Sequence, residues 1–455
     1  MELNAVQEAV RSNDSHVKPF KTQEKMKNIF KYVLAFALIV SGTSLAQQTP
    51  GDAQSGAISV TGVTAHIGDG TVIENATIVF ENGKITALGD ASTPTRGTVI
   101  NANGKHMYPG IIAPAKSLGL VEVNAVRASD DQDELGEFIP HIRSLIAYNA
   151  ESKVVESMRP NGVLLGQTTP QGGRISGTSS IVQFDAWNWE DAVVKEDDGI
   201  HLNWPRSFRR GRWWLGEPRG FQPNKDYSEQ VSEIANFMNN AIAYGKATDT
   251  ERNLAFEATL PLFDGGKTLY LYADGEKEII DAVNWARDNG IKKYVLVGGY
   301  HAYKITDFLK RNNVPVLVSQ THALPNFQDD DYDLPYKLPK LLDDAGLLVG
   351  IQNADMSNFQ TRNMAFYAGQ VVGQGMDKER ALQLITGNNA KILGIDDMYG
   401  TLAVGKSATF FVSEGDALDM RTNILTHVFI DGRAVSLETH QTELWKRYSK
   451  KYGQN

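Results

Sequence analysis

The chain holds no cysteine and nine histidines among its 455 residues. That composition excludes disulfides, thiolate metal sites, iron–sulfur clusters and cysteine nucleophiles together. Metal or acid–base chemistry must therefore draw on imidazoles and on the 54 Asp and Glu residues. His301, in Gly299-Tyr300-His301, and His322, in Thr321-His322, each follow an apolar run that reads as a strand. An imidazole there titrates near neutral pH and suits general acid–base work; a plain loop histidine is the competing reading of both. His141 and His201 fall in connections whose position the pattern does not fix. Asp329-Asp330-Asp331-Tyr332-Asp333 offers oxygens to a hard cation but lacks the EF-hand spacing and glycine, and reads as a solvated acidic loop. Pro170-Gln171-Gly172-Gly173-Arg174 has no Gly-Lys-Ser/Thr ending and is no phosphate cradle. Ser207-Phe208-Arg209-Arg210-Gly211-Arg212-Trp213-Trp214 mixes cations with aromatic rings, as single-stranded nucleic-acid grooves do. On a chain of formal charge −9 it reads instead as an insertion lid or a partner surface. General nucleic-acid binding needs a basic footprint that this chain lacks.

The elements that must position these residues can be read from patterning. An apolar fraction of 42% with 22% charged residues describes a globular chain with a substantial core. Residues 1–46 are not part of that core. Met26 opens a short basic stretch with Lys27 and Lys31, residues 32–40 are apolar, and Ser44-Leu45-Ala46 offers small residues at a cleavage point. This order is that of a secretory signal peptide preceded by an extension, and it places the protein in the periplasm or outside the cell. The apolar run is too short to span a bilayer, so no membrane attachment is expected after cleavage. Residues 47–56 read as a linker. Residues 57–108 alternate apolar and polar around Asn82-Gly83, a hairpin signal, and the same flavour returns around Asp431-Gly432. Between them, strand candidates at 268–272, 294–297, 314–318 and 347–351 alternate with helix candidates at 277–289, 302–312, 338–345 and 360–373. Such alternation predicts an α/β fold with a parallel sheet, and its length fits a (β/α)8 barrel with insertions.

Three segments, in this order, resemble the amidohydrolase superfamily, in its imidazolonepropionase-like and prolidase-like branch. Gly104-Lys105-His106-Met107-Tyr108-Pro109-Gly110-Ile111-Ile112 is similar to the family's entry into the first barrel strand. Ala381-Leu382-Gln383-Leu384-Ile385-Thr386-Gly387-Asn388-Asn389-Ala390 resembles its last barrel helix, and Gly400-Thr401-Leu402-Ala403-Val404-Gly405 its return to a flanking β-sandwich. The resemblance implies a (β/α)8 TIM-like barrel at 109–397, a small β-sandwich built from 57–108 and 398–437, and a tail at 438–455. It also implies hydrolysis of C–N bonds by a metal-bound hydroxide. Carried over position by position, the His-x-His pair falls on Ala115 and Ser117, the family's Lys or Glu after the third or fourth strand near Gln183, the strand-five His on Tyr272 and the strand-six His on Gly298. Only Asp355 keeps a residue type able to serve as a ligand. Five substitutions leave no set of nitrogen and carboxylate donors for zinc, so no metal and no other cofactor is expected.

The expected function follows from both halves of that reading. The chain is expected to be an exported amidohydrolase-family protein with impaired or absent metal catalysis. Alternatives are a non-catalytic partner of an active relative, in a homo-oligomer or a mixed one, and a small-molecule binding protein. A small molecule or peptide would occupy the barrel pocket. Asp355, His322 and His301 are the candidates for any rewired acid–base set. Tyr272, with Arg127 and Glu122 in the loop after the first strand, are the candidates for lining its mouth.

Overall fold

A computed structural model describes residues 49–211, 213–319, 321–352 and 358–454. The expected signal peptide and Asp355 lie outside the described residues.

The central sheet holds eight strands: β1 (Ile111–Lys116), β2 (Val163–Thr168), β3 (Ile175–Gln183), β4 (Val193–Asn203), β5 (Thr268–Ala273), β6 (Tyr294–Gly298), β7 (Val316–Val318) and β8 (Val349–Ile351). They are hydrogen-bonded in that sequence order. Most of their residues are buried, as expected for strands with both faces covered. From β4 onward the strands are parallel neighbours joined through helices. These include α1 (Tyr227–Lys246), α2 (Glu276–Asp288), α3 (Thr306–Arg311) and α4 (Leu334–Asp344). After β8 come α5 (Met364–Gly373), α6 (Lys378–Gln383) and α7 (Gly387–Leu393).

The expected regular (β/α)8 alternation is corrected at β3. This strand runs antiparallel to both β2 and β4. A parallel crossover needs a dozen or more residues, and neither neighbouring connection supplies a crossover helix packed that way. The chain turns back after β2 through Gly172 and Gly173, whose φ values of 80° and 57° few other residues adopt. A Cβ on Gly173 would meet the Gly136 carbonyl oxygen at 2.6 Å. Between β3 and β4 lies only the short helix Trp189–Ala192, capped by the Asn188 side chain on the Asp191 N–H.

The seam between β8 and β1 is spanned by the segment leading into α7. Ile112 N donates to Ile385 O at 3.0 Å and Ile351 N to Leu384 O at 3.0 Å. The buried Asn389 amide then donates to Ile112 O at 2.9 Å and to Ile351 O at 3.1 Å. A Cβ on Gly350 would stand 2.0 Å from Asn389 Oδ1, so glycine gives the clamp its room.

A second sheet draws strands from both chain ends. Its order is Arg433–Ala434, Leu425–Ile430, Phe410–Ser413, His106–Pro109, Ile58–His66, Val72–Glu81, Lys84–Gly89, with Thr98–Asn101 also paired to Ile58–His66. Phe80 packs edge to face on Phe410 and on Phe429, which tilt against each other. Asn82-Gly83 and Asp431-Gly432 turn with positive φ at both residues, as the hairpin signals require. The Asp185 carboxylate, fully buried just past β3, ties this sheet to the barrel. It binds Arg159 at 2.9 Å and Arg433 at 3.1 Å and accepts from Gly51 N at 2.9 Å.

Candidate active site

In a barrel of this kind, chemistry belongs at the C-terminal strand ends. At the end of β1, Ala115 stands in the left-handed region at φ 50°. Its backbone N–H donates to Gln167 Oε1 at 2.9 Å, and its carbonyl accepts from Gln352 Nε2 at 3.0 Å. Gln167 comes from β2 and Gln352 directly follows β8; both side chains are buried. Two neutral amides thus hold a residue that has only a methyl side chain. Ser117 faces Gln132 and Asn358 at 3.1 and 3.3 Å. Lys116, between them, is also buried.

The opposite wall carries a stacked polar column. Gln167 Nε2 also donates to Asp198 Oδ2 at 2.8 Å, where Tyr270 OH donates at 2.8 Å. Ser179 Oγ donates to Asp198 Oδ1 at 2.8 Å. Burial raises the Asp198 carboxyl above the usual range, while Ser179, Tyr270 and Gln167 pull the other way. The Tyr270 ring stacks on His201 at 4.7 Å. His201 Nδ1 shares a hydrogen bond with Tyr272 OH at 2.9 Å, and its buried Nε2 meets no hydrogen-bonding partner among the described residues. Burial pushes the imidazole down to about 3, so it is neutral at physiological pH. The column offers polar neutral surface; its one buried carboxyl is fully engaged by donors.

Several sequence expectations change here. Gln183 is not at the mouth: the reversal of β3 carries it to the opposite end, where it pairs with Leu165 and its amide binds Asp185 O and Asp191 O. On β4, His201 and Asn203 pair with Tyr270 and Tyr272 of β5. His201, assigned no position from sequence, lies inside the barrel. Its signal was the alternation Ile200-His201-Leu202-Asn203, masked by the acidic run Glu196-Asp197-Asp198 in the middle of the strand. Gln167, Asp198 and Gln352 were missed because nothing in their local sequence marks them.

The two candidate histidines sit in separate aromatic settings. His301 stacks on Phe327 at 5.2 Å and tilts against Tyr300; burial lowers its pKa. Phe327 in turn meets Phe221, from the two-stranded arm Phe208–Arg210 and Phe221–Pro223 that follows β4. His322 packs against Tyr336 and Tyr367, and its Nδ1 contacts the Gln370 amide. Gln370 lines a cavity of about 320 Å³ with Phe366, Lys378 and Asp416. Glu122 accepts from Asn149 Nδ2 and Lys153 N. Arg127, exposed, pairs with Asp133 at 3.5 Å.

A catalytic zinc centre needs several imidazole or carboxylate donors converging on one point. The described residues do not fit that need. Ala115, Ser117, Tyr272 and Gly298 stand at the strand ends, and no group of three His, Cys, Asp or Glu among the described residues could hold a metal ion.

Comparison with known proteins agrees with this architecture. Residues 336–435 match the model of the amidohydrolase family. Among solved structures, an amidohydrolase from Thermotoga maritima MSB8 is similar with a TM-score of 0.72 and 21% identity, over 83% of this chain and 99% of that one. A prolidase complexed with N-methylphosphonate-L-proline is similar at 0.51 and 14%, over 84% and 99%. A Xaa-Pro dipeptidase with methionine bound in its active site is similar at 0.50 and 12%, over 84% and 100%. No curated protein sequence matches. The barrel thus has the fold of the solved amidohydrolases, and residues 336–435 carry the sequence match to the amidohydrolase family model.

Proposed function

We propose that this protein is an exported member of the amidohydrolase family that keeps the barrel as a binding chamber and has lost metal-dependent hydrolysis. The observation that carries the reading is the anchoring of Ala115. At the place of a metal-binding side chain there is a methyl group, and Gln167 and Gln352 engage its backbone from two sides. The amides, tyrosines and neutral imidazole inside the barrel, with the buried Lys116 and Asp198 beside them, suit an uncharged or zwitterionic small molecule such as a dipeptide or cyclic amide. The sheet built from both chain ends takes the place of the family's flanking sandwich.

The test is metal content together with turnover. The purified protein should hold substoichiometric zinc, manganese and iron, and should not hydrolyse Xaa-Pro dipeptides or cyclic amides with or without added metal. One metal per chain with chelator-sensitive turnover would overturn the proposal. Export is checked separately, by sequencing the N-terminus of the protein recovered outside the cytoplasm; an intact Met1 or Met26 start would refute it.

A second reading, the non-catalytic partner of an active relative, is favoured by the arm at the barrel mouth. Trp213, Trp214 and Leu215 at its tip are each about 60% exposed, more apolar surface than a solitary chain usually offers to water. Recovery of a related chain in stable complex from the native source would support it.

A further inference from the structure

The helix α8 (His440–Tyr452) is the element that the fold leaves least explained. It is well terminated: Thr439 and Thr442 form a capping box, and Gly453 closes it in the left-handed conformation. Yet none of its residues is buried. Its attachment is at the start, where His440 N donates to Glu156 Oε1 at 2.7 Å and Thr439 is buried. A helix of 13 residues is marginal in water without tertiary packing.

Its surface carries aromatic rings and cations side by side. Trp445, Tyr448 and Tyr452, spaced i, i+3 and i+7, form one stripe and are 68%, 48% and 66% exposed. Lys446, Arg447, Lys450 and Lys451 occupy the other side, against the single acid Glu443. Lys446 pairs with Glu438, Arg447 and Lys451 lie over the Tyr448 and Tyr452 rings, and Lys450 adds a third charge to the cationic side. This basic helix belongs to a chain of formal charge −9.

The complementary surface lies on the same molecule type. The loop 122–137, after β1, exposes Leu135 (93%), Val123 (52%) and Val126 (48%). Asp131, Glu134 and Glu137 are exposed among them. This loop intersperses its exposed apolar side chains with acids, its one exposed cation, Arg127, being paired with Asp133; that composition suits an aromatic stripe with cations, and aromatic anchors of this kind dominate interfaces. An anionic membrane would bind the helix but repel the acidic body that carries it.

We propose that α8 docks on the 122–137 loop of a second copy of this chain, so that the protein self-associates through this contact. The contact goes beyond the lost-hydrolysis reading and does not depend on it.

Sedimentation equilibrium of the full-length protein tests it. Self-association should appear at low ionic strength and weaken with salt. Lys450→Glu with Lys451→Glu should weaken it at least tenfold, and Glu134→Lys with Glu137→Lys should do the same. The four changes combined should restore association, because both surfaces are then reversed together. Trp445→Ala, at an exposed position that leaves the fold intact, should weaken it without altering the salt dependence. A monomer at every concentration overturns the proposal. So do reversal variants that associate like the parent, a combined variant that does not recover, or co-sedimentation of a monomer with phosphatidylglycerol vesicles.

Discussion

One residue shows how far burial alone sets chemistry in this barrel. His201 has its imidazole inside the wall, stacked on Tyr270, and burial pushes it down to about 3 from the usual 6.5. The unfolded chain therefore takes up a proton below about pH 6.5 that the folded chain does not accept until about pH 3. The contribution is fully present above pH 6.5 and is lost as pH falls across that window, by about 1.4 kcal/mol per unit. Urea unfolding between pH 6.5 and 5, before most carboxylates titrate, should show this slope, and His201→Gln should reduce it, leaving what other imidazoles lowered by burial, such as His301, contribute; equal slopes in both proteins would refute the assignment. Asn389 acts by hydrogen bonding instead. Its amide reaches Ile112 O and Ile351 O across the seam. Asn389→Ala removes both bonds, and calorimetry should read a loss of about 2–4 kcal/mol.

At the scale of elements, connection length decided what strand pattern could not. β3 is buried along its whole length, as a parallel strand would be, and only the tight turn at Gly172-Gly173 and the brief Trp189–Ala192 helix make it antiparallel. That reversal moved Gln183 away from the mouth and put His201 into it. The helices were more legible, since their amphipathic spacing is local. α2 falls where the pattern places it, whereas α4 starts earlier, at Leu334, with Pro335 in its first turn and Pro339 inside. α6 owes its start to Asp377, whose carboxylate accepts from Arg380 N at 3.0 Å. Asp377→Ala should cost about 1 kcal/mol in denaturant midpoint analysis. No measurable change would mean that packing of Ala381 and Leu382 alone holds the helix.

The whole molecule depends on contacts between distant parts of the chain. The strand Phe410–Ser413 pairs with His106–Pro109, so the terminal sheet closes only when both ends are present. Asp185 then joins barrel and sheet through Arg159 and Arg433, with its side chain fully buried. Asp185→Asn leaves Arg159 charged and buried without that carboxylate. Thermal and chemical unfolding should show a loss of about 3–5 kcal/mol, with barrel and sheet still melting together. Two separate transitions would mean that other contacts do not couple them.

The sequence by itself determined the absence of thiol chemistry, the α/β class, the hairpins at Asn82-Gly83 and Asp431-Gly432, and the residue types at the strand ends. Each depends on composition, on nearest neighbours, or on motifs that hold their spacing along the chain. The tertiary structure alone decided that β3 runs backwards, that His201 and Asp198 share the barrel interior, and that Gln167 and Gln352 meet at Ala115. Those residues are separated by up to 237 positions, and their side chains look ordinary in sequence. A buried amide becomes informative only when the fold shows which backbone groups it must satisfy.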